Sequence, residues 1–158
     1  MIKRFIPKNF NVPQKLKTDE FVLLPLTIQH NDKDFEAVKL SIDNEGKIDQ
    51  AVTDLTKEEN LINLAWHERE TQLRRSFAYT VLTPDRSKCI GCVYIQSPNY
   101  IPNHIYPEQS DSTVDAEIYM WVTKAIYDKG LFQTLKKVVK EWIEKRWPFK
   151  NAAYPDYL

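Results

Sequence analysis

Glycine is scarce in this sequence, which has only three among 158 residues, so backbone turns and close approaches that need glycine are few. Charge of one sign is not in excess either. Lys+Arg and Asp+Glu both number 22, and the composition gives no sign of a nucleic-acid partner. No apolar run approaches the ~20 residues of a membrane span, and the N-terminus lacks the apolar segment of a signal peptide. The sequence predicts a cytoplasmic protein with neither a membrane nor a nucleic acid as partner.

Cysteine is scarce too, and Cys89 and Cys92 are the only two in the sequence. A redox pair needs its first cysteine at a helix N-terminus, where the thiolate is stabilised, but the residues around this pair are typical of a strand. Zinc would need about two more ligands at matching spacing, and the sequence shows none. We therefore expect two buried thiols on a strand and no metal site.

The chain does contain a regular succession of apolar segments, and its length suits one domain. Residues 1–20 are polar with two prolines, which predicts an arm leading into a single domain at 21–158. Aromatic and β-branched runs predict strands, and apolar residues at helical spacing predict helices. The predicted strands are 21–26, 77–82, 89–95, 115–122 and a short one within 150–157, and the predicted helices are 32–44, 56–75 and 130–147.

This order predicts an α/β (α+β) fold with a mostly antiparallel central sheet flanked by helices. The last strand should lie parallel to 115–122, because a helical crossover joins them. Thr56 and Glu59 form a capping box that should start the second helix. A strand that feeds the long helix exposes free N–H groups at the helix start, which suit an anion such as a pyrophosphate.

Three stretches resemble the GNAT superfamily of acyl-CoA-dependent N-acetyltransferases. Residues 21–27 resemble its opening strand, 89–95 its third strand with an Ile-Gly pair, and 116–122 the fourth strand of the ribosomal-protein branch. The similarity spans about residues 21–157. It implies the acyl-CoA N-acyltransferase fold, with acetyl-CoA as co-substrate and a small-molecule or peptide amine as acceptor.

The family's cofactor loop reads Gln/Arg-x-x-Gly-x-Gly/Ala, and here Tyr127, Gly130 and Phe132 occupy the three defined positions. Only the first glycine matches. Small residues there let backbone N–H groups reach the pyrophosphate, whereas Phe132 adds bulk unless its ring turns inward. Asp128 has a structural alternative as the N-cap of the long helix. The resemblance implies the following cofactor-binding residues: Met120, Trp121, Val122, Thr123, Tyr127, Asp128, Lys129 and Gly130.

The resemblance also implies that Glu117 is the general base, since some family members carry such a glutamate on the fourth strand. The alternative is a solvated strand residue. Trp66, His67 and Tyr94 are implied as acceptor-binding residues, and for His67 a simple helix histidine is the alternative. A long loop at 97–114 carries further aromatic and histidine side chains that could cover a cleft: Tyr100, His104 and Tyr106.

Family members continue past the fifth strand with a helix that often supplies a tyrosine as general acid, and this sequence shows no counterpart. We expect the acceptor side to be shortened or completed by another subunit, and an unpaired C-terminal edge is compatible with a homodimer. Two hypotheses follow. The first is an acetyl-CoA-dependent N-acetyltransferase. The second is a GNAT-fold protein without catalysis that acts as a binding or interaction module.

Overall fold

The central element is one six-stranded sheet whose strands follow one another in sequence order. The computed structural model describes residues 4–98, 100 and 113–155. Neighbouring strands are antiparallel except the last pair, which is parallel as predicted. The strands are β1 (Leu16–Lys17), β2 (Val22–Pro25), β3 (Ser76–Leu82), β4 (Cys89–Gln96), β5 (Ala116–Val122) and β6 (Ala152–Ala153).

Helices cover both faces of this sheet. They are α1 (Asn31–Val38), α2 (Lys57–Gln72), α3 (Lys124–Asp128) and α4 (Leu131–Arg146). α1 packs against β4 and α2 against β3. The apolar side of α4 joins the main core, where Leu135 and Val139 are fully buried together with Ile118 of β5. In the described residues no helix is long and apolar enough to cross a membrane.

The sequence predicted β2 to β6, and β3, β4 and β5 each match within one residue. β1 was missed, because it lies in the stretch predicted as an arm. β5 alternates buried and half-buried residues, as a strand with two chemically different faces should. β3 and β4 form an antiparallel hairpin, and its regular register breaks at Val81/Leu82. This irregularity is a β-bulge in the stretch that carries the two cysteines.

The helices show the larger departures. α2 begins at the predicted capping box, where the Thr56 hydroxyl accepts from the Glu59 N–H, but it ends at Gln72 rather than near residue 75. The predicted helix from 32 to 44 is wrong beyond Val38, because residues 41–48 form isolated bridges instead. α3 was not predicted at all.

Residues within 4–20 contact the face of the sheet that α4 covers. Ile6 belongs to the main core, and the Phe5 ring stacks on Phe149 with centroids 5.2 Å apart. The Tyr79 hydroxyl donates to the Pro13 carbonyl, and burial raises the pKa of that phenol. β1 then adds a short strand to the edge of β2.

The sheet opens between its last two strands. β6 pairs with β5 only at Ala116–Ala152 and Glu117–Ala153. β5 continues to Val122 with β4 as its partner on the other edge. Past Glu117, therefore, no described strand pairs with the outer edge of β5 until the single bridge between Ser41 and Thr123.

We expect Gly91→Ala to destabilise the protein by about 2–3 kcal/mol, because the new Cβ would lie 2.4 Å from the Trp121 carbonyl oxygen of the adjacent strand. Urea unfolding would measure the loss. Gly130→Ala is the comparator, since its Cβ would meet nothing within 4 Å and only its left-handed φ of 73° should cost stability, about 1 kcal/mol. A Gly91→Ala loss no larger than the comparator's would contradict the steric argument.

Candidate functional site

The open edge of β5 has a defined backbone orientation. The Thr123 N–H donates to the Ile90 carbonyl of the β4 strand (3.0 Å), while the Val122 carbonyl accepts from the Ile42 N–H on the opposite side (3.3 Å). Because peptide groups alternate in direction along a strand, Met120 also directs its N–H and C=O away from β4. The backbone at Met120 and the Val122 N–H thus face the opening.

The resemblance implied that Thr123 binds the cofactor, but both of its backbone polar groups already have partners within the protein. Its carbonyl accepts from the Tyr127 N–H (3.1 Å), and its N–H is bonded to Ile90. Lys124 donates its N–H to the Leu40 carbonyl. The segment 40–42 therefore closes the far end of the opening.

The start of α4 adjoins β5 through the core, since Phe132 of its first turn belongs to the same core cluster as Met120 and Val122. Gly130 is the N-cap in a left-handed conformation, no side chain caps the helix, and its first turn holds no acidic residue. The first N–H groups of a helix have no intrahelical acceptor. Together with the helix dipole they make a site suited to an anion.

The structure corrects the alternative role of Asp128 as the N-cap of the long helix. Asp128 is the last residue of α3, and its carboxylate pairs with the Lys124 ammonium at 3.0 Å. The inserted helix α3 moves the N-cap to Gly130. The Asp128 side chain is therefore engaged within α3, while Lys129 is exposed next to the cap.

The two residues that depart from the family's loop pattern both have structural partners. The Phe132 ring is turned inward and 2% exposed, in the same core as Met120 and Leu135. The Lys136 ammonium lies 4.3 Å from the centre of its outer face. The Tyr127 ring covers Gly46, where an added Cβ would approach it to 2.5 Å.

Glu117 and Tyr119 lie on the face of β5 that α1 and α2 cover. The Tyr119 hydroxyl donates to the Glu117 carboxylate at 2.8 Å, and both side chains are half-buried. This bond fixes the orientation of one carboxylate oxygen of Glu117, the last β5 residue that pairs with β6. The sequence did not point to Tyr119, although its position two residues after Glu117 places it on the same strand face.

An aromatic cluster continues on the same face. The His67 ring stacks on Tyr94 with centroids 5.0 Å apart, and the Trp121 Nε1–H donates to the Tyr94 hydroxyl at 3.0 Å. Burial lowers the pKa of His67 and raises that of Tyr94. Both side chains are therefore neutral at neutral pH. The predicted acceptor residue Trp66 lies elsewhere, exposed beneath the Arg69 guanidinium.

The cysteines behave as predicted. Cys89 and Cys92 are buried free thiols on β4. Burial raises the pKa of Cys89 to about 11 and that of Cys92 well above its ordinary value. Both therefore stay protonated at neutral pH and are unreactive as nucleophiles.

Tyr100, near the start of the long loop at 97–114, lies close to a buried ion pair. Glu70 is 2% exposed and binds the Arg75 guanidinium through two bonds of 2.8 and 2.7 Å. Burial raises the pKa of the Tyr100 phenol to about 12, and the nearby Glu70 carboxylate raises it further. His104 and Tyr106 lie outside the described residues.

Comparison with known proteins gives a fold but no sequence family. No protein-family model matches the sequence, and no curated protein matches it significantly. A structure from Bordetella pertussis assigned to the GNAT-family acetyltransferases matches with a TM-score of 0.57 at 19% identity, covering 84% of this chain and 73% of that one. A structure assigned as a ribosomal-protein-serine acetyltransferase from Vibrio cholerae matches with a TM-score of 0.60 at 11% identity, covering 83% and 67%.

RimL, a ribosomal alpha-N-protein acetyltransferase in complex with coenzyme A, matches with a TM-score of 0.53 at 11% identity, covering 85% of this chain and 68% of that one. Likeness at these identities establishes the fold. The chain shares the fold of these acetyltransferase structures, as the sequence predicted.

The burial of His67 predicts a pH dependence of stability. Its folded pKa lies below its unfolded value near 6.5, so the unfolded chain binds the proton first and stability falls as the pH drops below about 6.5. His30, whose pKa burial also lowers, adds to the fall in the same direction.

We expect His67→Gln to lose less unfolding free energy than the wild type between about pH 7.5 and about pH 5.5. Urea unfolding at the two pH values gives this difference. His30→Gln is the comparator for the other histidine whose pKa burial lowers, and it should reduce the loss as well. Equal losses in wild type and His67→Gln would show that His67 carries no such linkage.

Proposed function

We propose that this protein is an N-acetyltransferase that transfers an acetyl group from acetyl-CoA to an amine. The observation that carries the proposal is the pairing of an open β5 edge with an uncapped α4 N-terminus. A thioester co-substrate with a strand-like amide arm and a pyrophosphate would use both features at once. The coenzyme A complex of RimL, which shares the fold, adds support.

The co-substrate fits the described residues. The Met120 backbone and the Val122 N–H could pair with the amides of the pantetheine arm along the open edge. The first N–H groups of α4 would hold the pyrophosphate, with Lys129 and Lys136 as nearby cations. Phe132 does not obstruct this arrangement, because its ring points into the core.

Glu117 would remove a proton from the acceptor ammonium, directly or through a water molecule, so that the free amine can attack the thioester carbonyl. The Tyr119 hydroxyl would hold the carboxylate in position. The amide C–N bond forms as the thioester C–S bond breaks, and coenzyme A leaves as a thiolate that takes up the second proton lost by the amine nitrogen. The chemistry supplied by the co-substrate is the activated acetyl group.

The acceptor would bind on the α2 side of β5. His67 and Tyr94 present neutral aromatic surfaces there, close to Trp121. This lining favours an apolar or aromatic group beside the reacting amine, in a small molecule or a peptide. The cytoplasmic location, the division into an arm and one domain, and a homodimer stay predictions.

A binding module without catalysis is the second candidate. Two hydrogen bonds favour it. The Val122 carbonyl accepts from the Ile42 N–H, and the Thr123 carbonyl accepts from the Tyr127 N–H. These two carbonyls already have partners, which makes them less available to a pantetheine arm. If this candidate is right, acetyl-CoA will not bind.

We expect acetyl-CoA to stabilise the fold, by roughly 2.7 kcal/mol at 100 times its Kd. Gln133→Glu should weaken binding about fivefold, because it places a carboxylate in the exposed first turn of α4. Acids near a helix start stabilise the helix, so the apo fold should keep its stability. Calorimetric titration and thermal unfolding measure the two effects.

Asn63→Asp is the control, since it adds the same charge on an exposed site of α2. Equal affinity of Gln133→Glu and Asn63→Asp would show that the α4 start does not hold the phosphates. No thermal shift at millimolar acetyl-CoA would exclude the transferase.

We expect Glu117→Gln to lower kcat by about 100-fold or more with little change in acetyl-CoA affinity, because it removes the base but keeps the shape of the side chain. Tyr119→Phe should lower kcat less, since it only frees the carboxylate. Release of the coenzyme A thiol with a panel of primary amines measures both. Undiminished turnover in Glu117→Gln would exclude Glu117 as the base.

A further inference from the structure

The outward face of α2 is unusually apolar. The helix already packs its inner face on α1 through the buried Asn60 and on the sheet through the buried Leu64. Ile62 is nevertheless 60% exposed, Leu61 42% and Trp66 39%. A helix that packs on one side normally carries polar residues on the other.

The exposed residues form an ordered seam. Its members are spaced at i, i+3, i+4, i+7, i+8 and i+11, which places them on one side of the helix. They are Glu58, Leu61, Ile62, Ala65, Trp66 and Arg69, and each of them is exposed. We use the name α2 seam for these six residues.

The seam is self-complementary when a second copy lies antiparallel. A two-fold axis between Asn63 and Leu64 brings residue 58 opposite 69, residue 61 opposite 66, and residue 62 opposite 65. Glu58 of each copy would then face Arg69 of the other, and Ile62 would pack on the small Ala65. A parallel arrangement would instead place like charges together.

The charge distribution of the helix favours the same arrangement. The acidic residues Glu58 and Glu59 are in its first turn, and the basic Arg69 is in its last. Antiparallel helices therefore form two ion pairs across the contact and also oppose their dipoles favourably.

A receiving cavity adjoins the seam. A depression of about 370 Å³ lies at the N-terminal end of α2, and its lining includes Ile28, Glu58 and Leu61. Since residue 66 of the second copy would lie opposite Leu61, its indole would reach the mouth of this cavity. Trp and Arg are the residue types that most often anchor interfaces.

We propose that two copies of this chain associate through the α2 seam as a two-fold symmetric dimer. A single helix pair buries a small interface, so the dissociation constant should be on the order of 10 µM. This inference is independent of the proposed transferase activity, because the seam lies on the helix face turned away from β5.

Sedimentation equilibrium over about a hundredfold range of concentration around 10 µM tests the dimer. We expect wild-type protein to move from monomer to dimer over this range, and Ile62→Glu to stay monomeric. Asn63→Glu is the matched control, because residue 63 is equally exposed but lies off the seam, and it should dimerise like wild type. Circular dichroism checks that each variant is folded.

A charge exchange makes the test specific for the antiparallel register. Glu58→Arg and Arg69→Glu should each weaken the dimer about tenfold, and the double variant should recover most of that loss. Wild-type protein that stays monomeric at every concentration would overturn the proposal and leave the seam to another partner. A dimer unaffected by Ile62→Glu would overturn it as well.

Discussion

The separation of β6 from β5 after Glu117 is the constraint on which the rest of the structure depends. β5 keeps its hydrogen bonds to β4 along one edge but loses its neighbour on the other. Backbone groups at a half-buried edge are costly without partners, so something must pair with them. Residues 40–42 satisfy the far end, and the stretch around Met120 is left facing the opening.

The two faces of β5 have different chemistry, because successive side chains of a strand point to opposite faces of the sheet. Buried Ile118, Met120 and Val122 face the α4 core, while Glu117 and Tyr119 lie toward the α1 and α2 side. On that second side, burial keeps His67 and Tyr94 uncharged. A half-buried carboxylate beside neutral aromatic groups is an arrangement suited to taking a proton from a bound ammonium.

Phe132 and Tyr127, the two residues that depart from the family's loop pattern, both pack against other parts of the protein. A bulky residue at position 132 could block an anion only if its ring pointed outward, but it serves as a core residue beneath Lys136. Tyr127, in place of Gln or Arg, contacts Gly46 of the loop that closes the opening. Three glycines thus have distinct structural roles: Gly46 beneath the Tyr127 ring, Gly91 against a neighbouring carbonyl, and Gly130 as a left-handed helix cap.

The sequence by itself determined β2 to β6, α2 and α4, and with them the fold. Alternating polarity in β5, the Thr56 capping box and the helical spacing of α4 are local signals, because they depend on residues a few positions apart. The parallel return of β6 followed from connection rules. The buried cysteines followed from their strand context.

Only the tertiary structure decided how the ends of these elements meet. The pairing of Ser41 with Thr123 joins residues about eighty positions apart, and no local pattern encodes it. The bond between Glu117 and Tyr119 and the stacking of His67 on Tyr94 depend on how the face of β5 meets α2. The inward turn of Phe132 likewise depended on the space that the core leaves beside α4. Side-chain direction is set by packing against distant residues, which is why these features lay beyond a reading of the sequence.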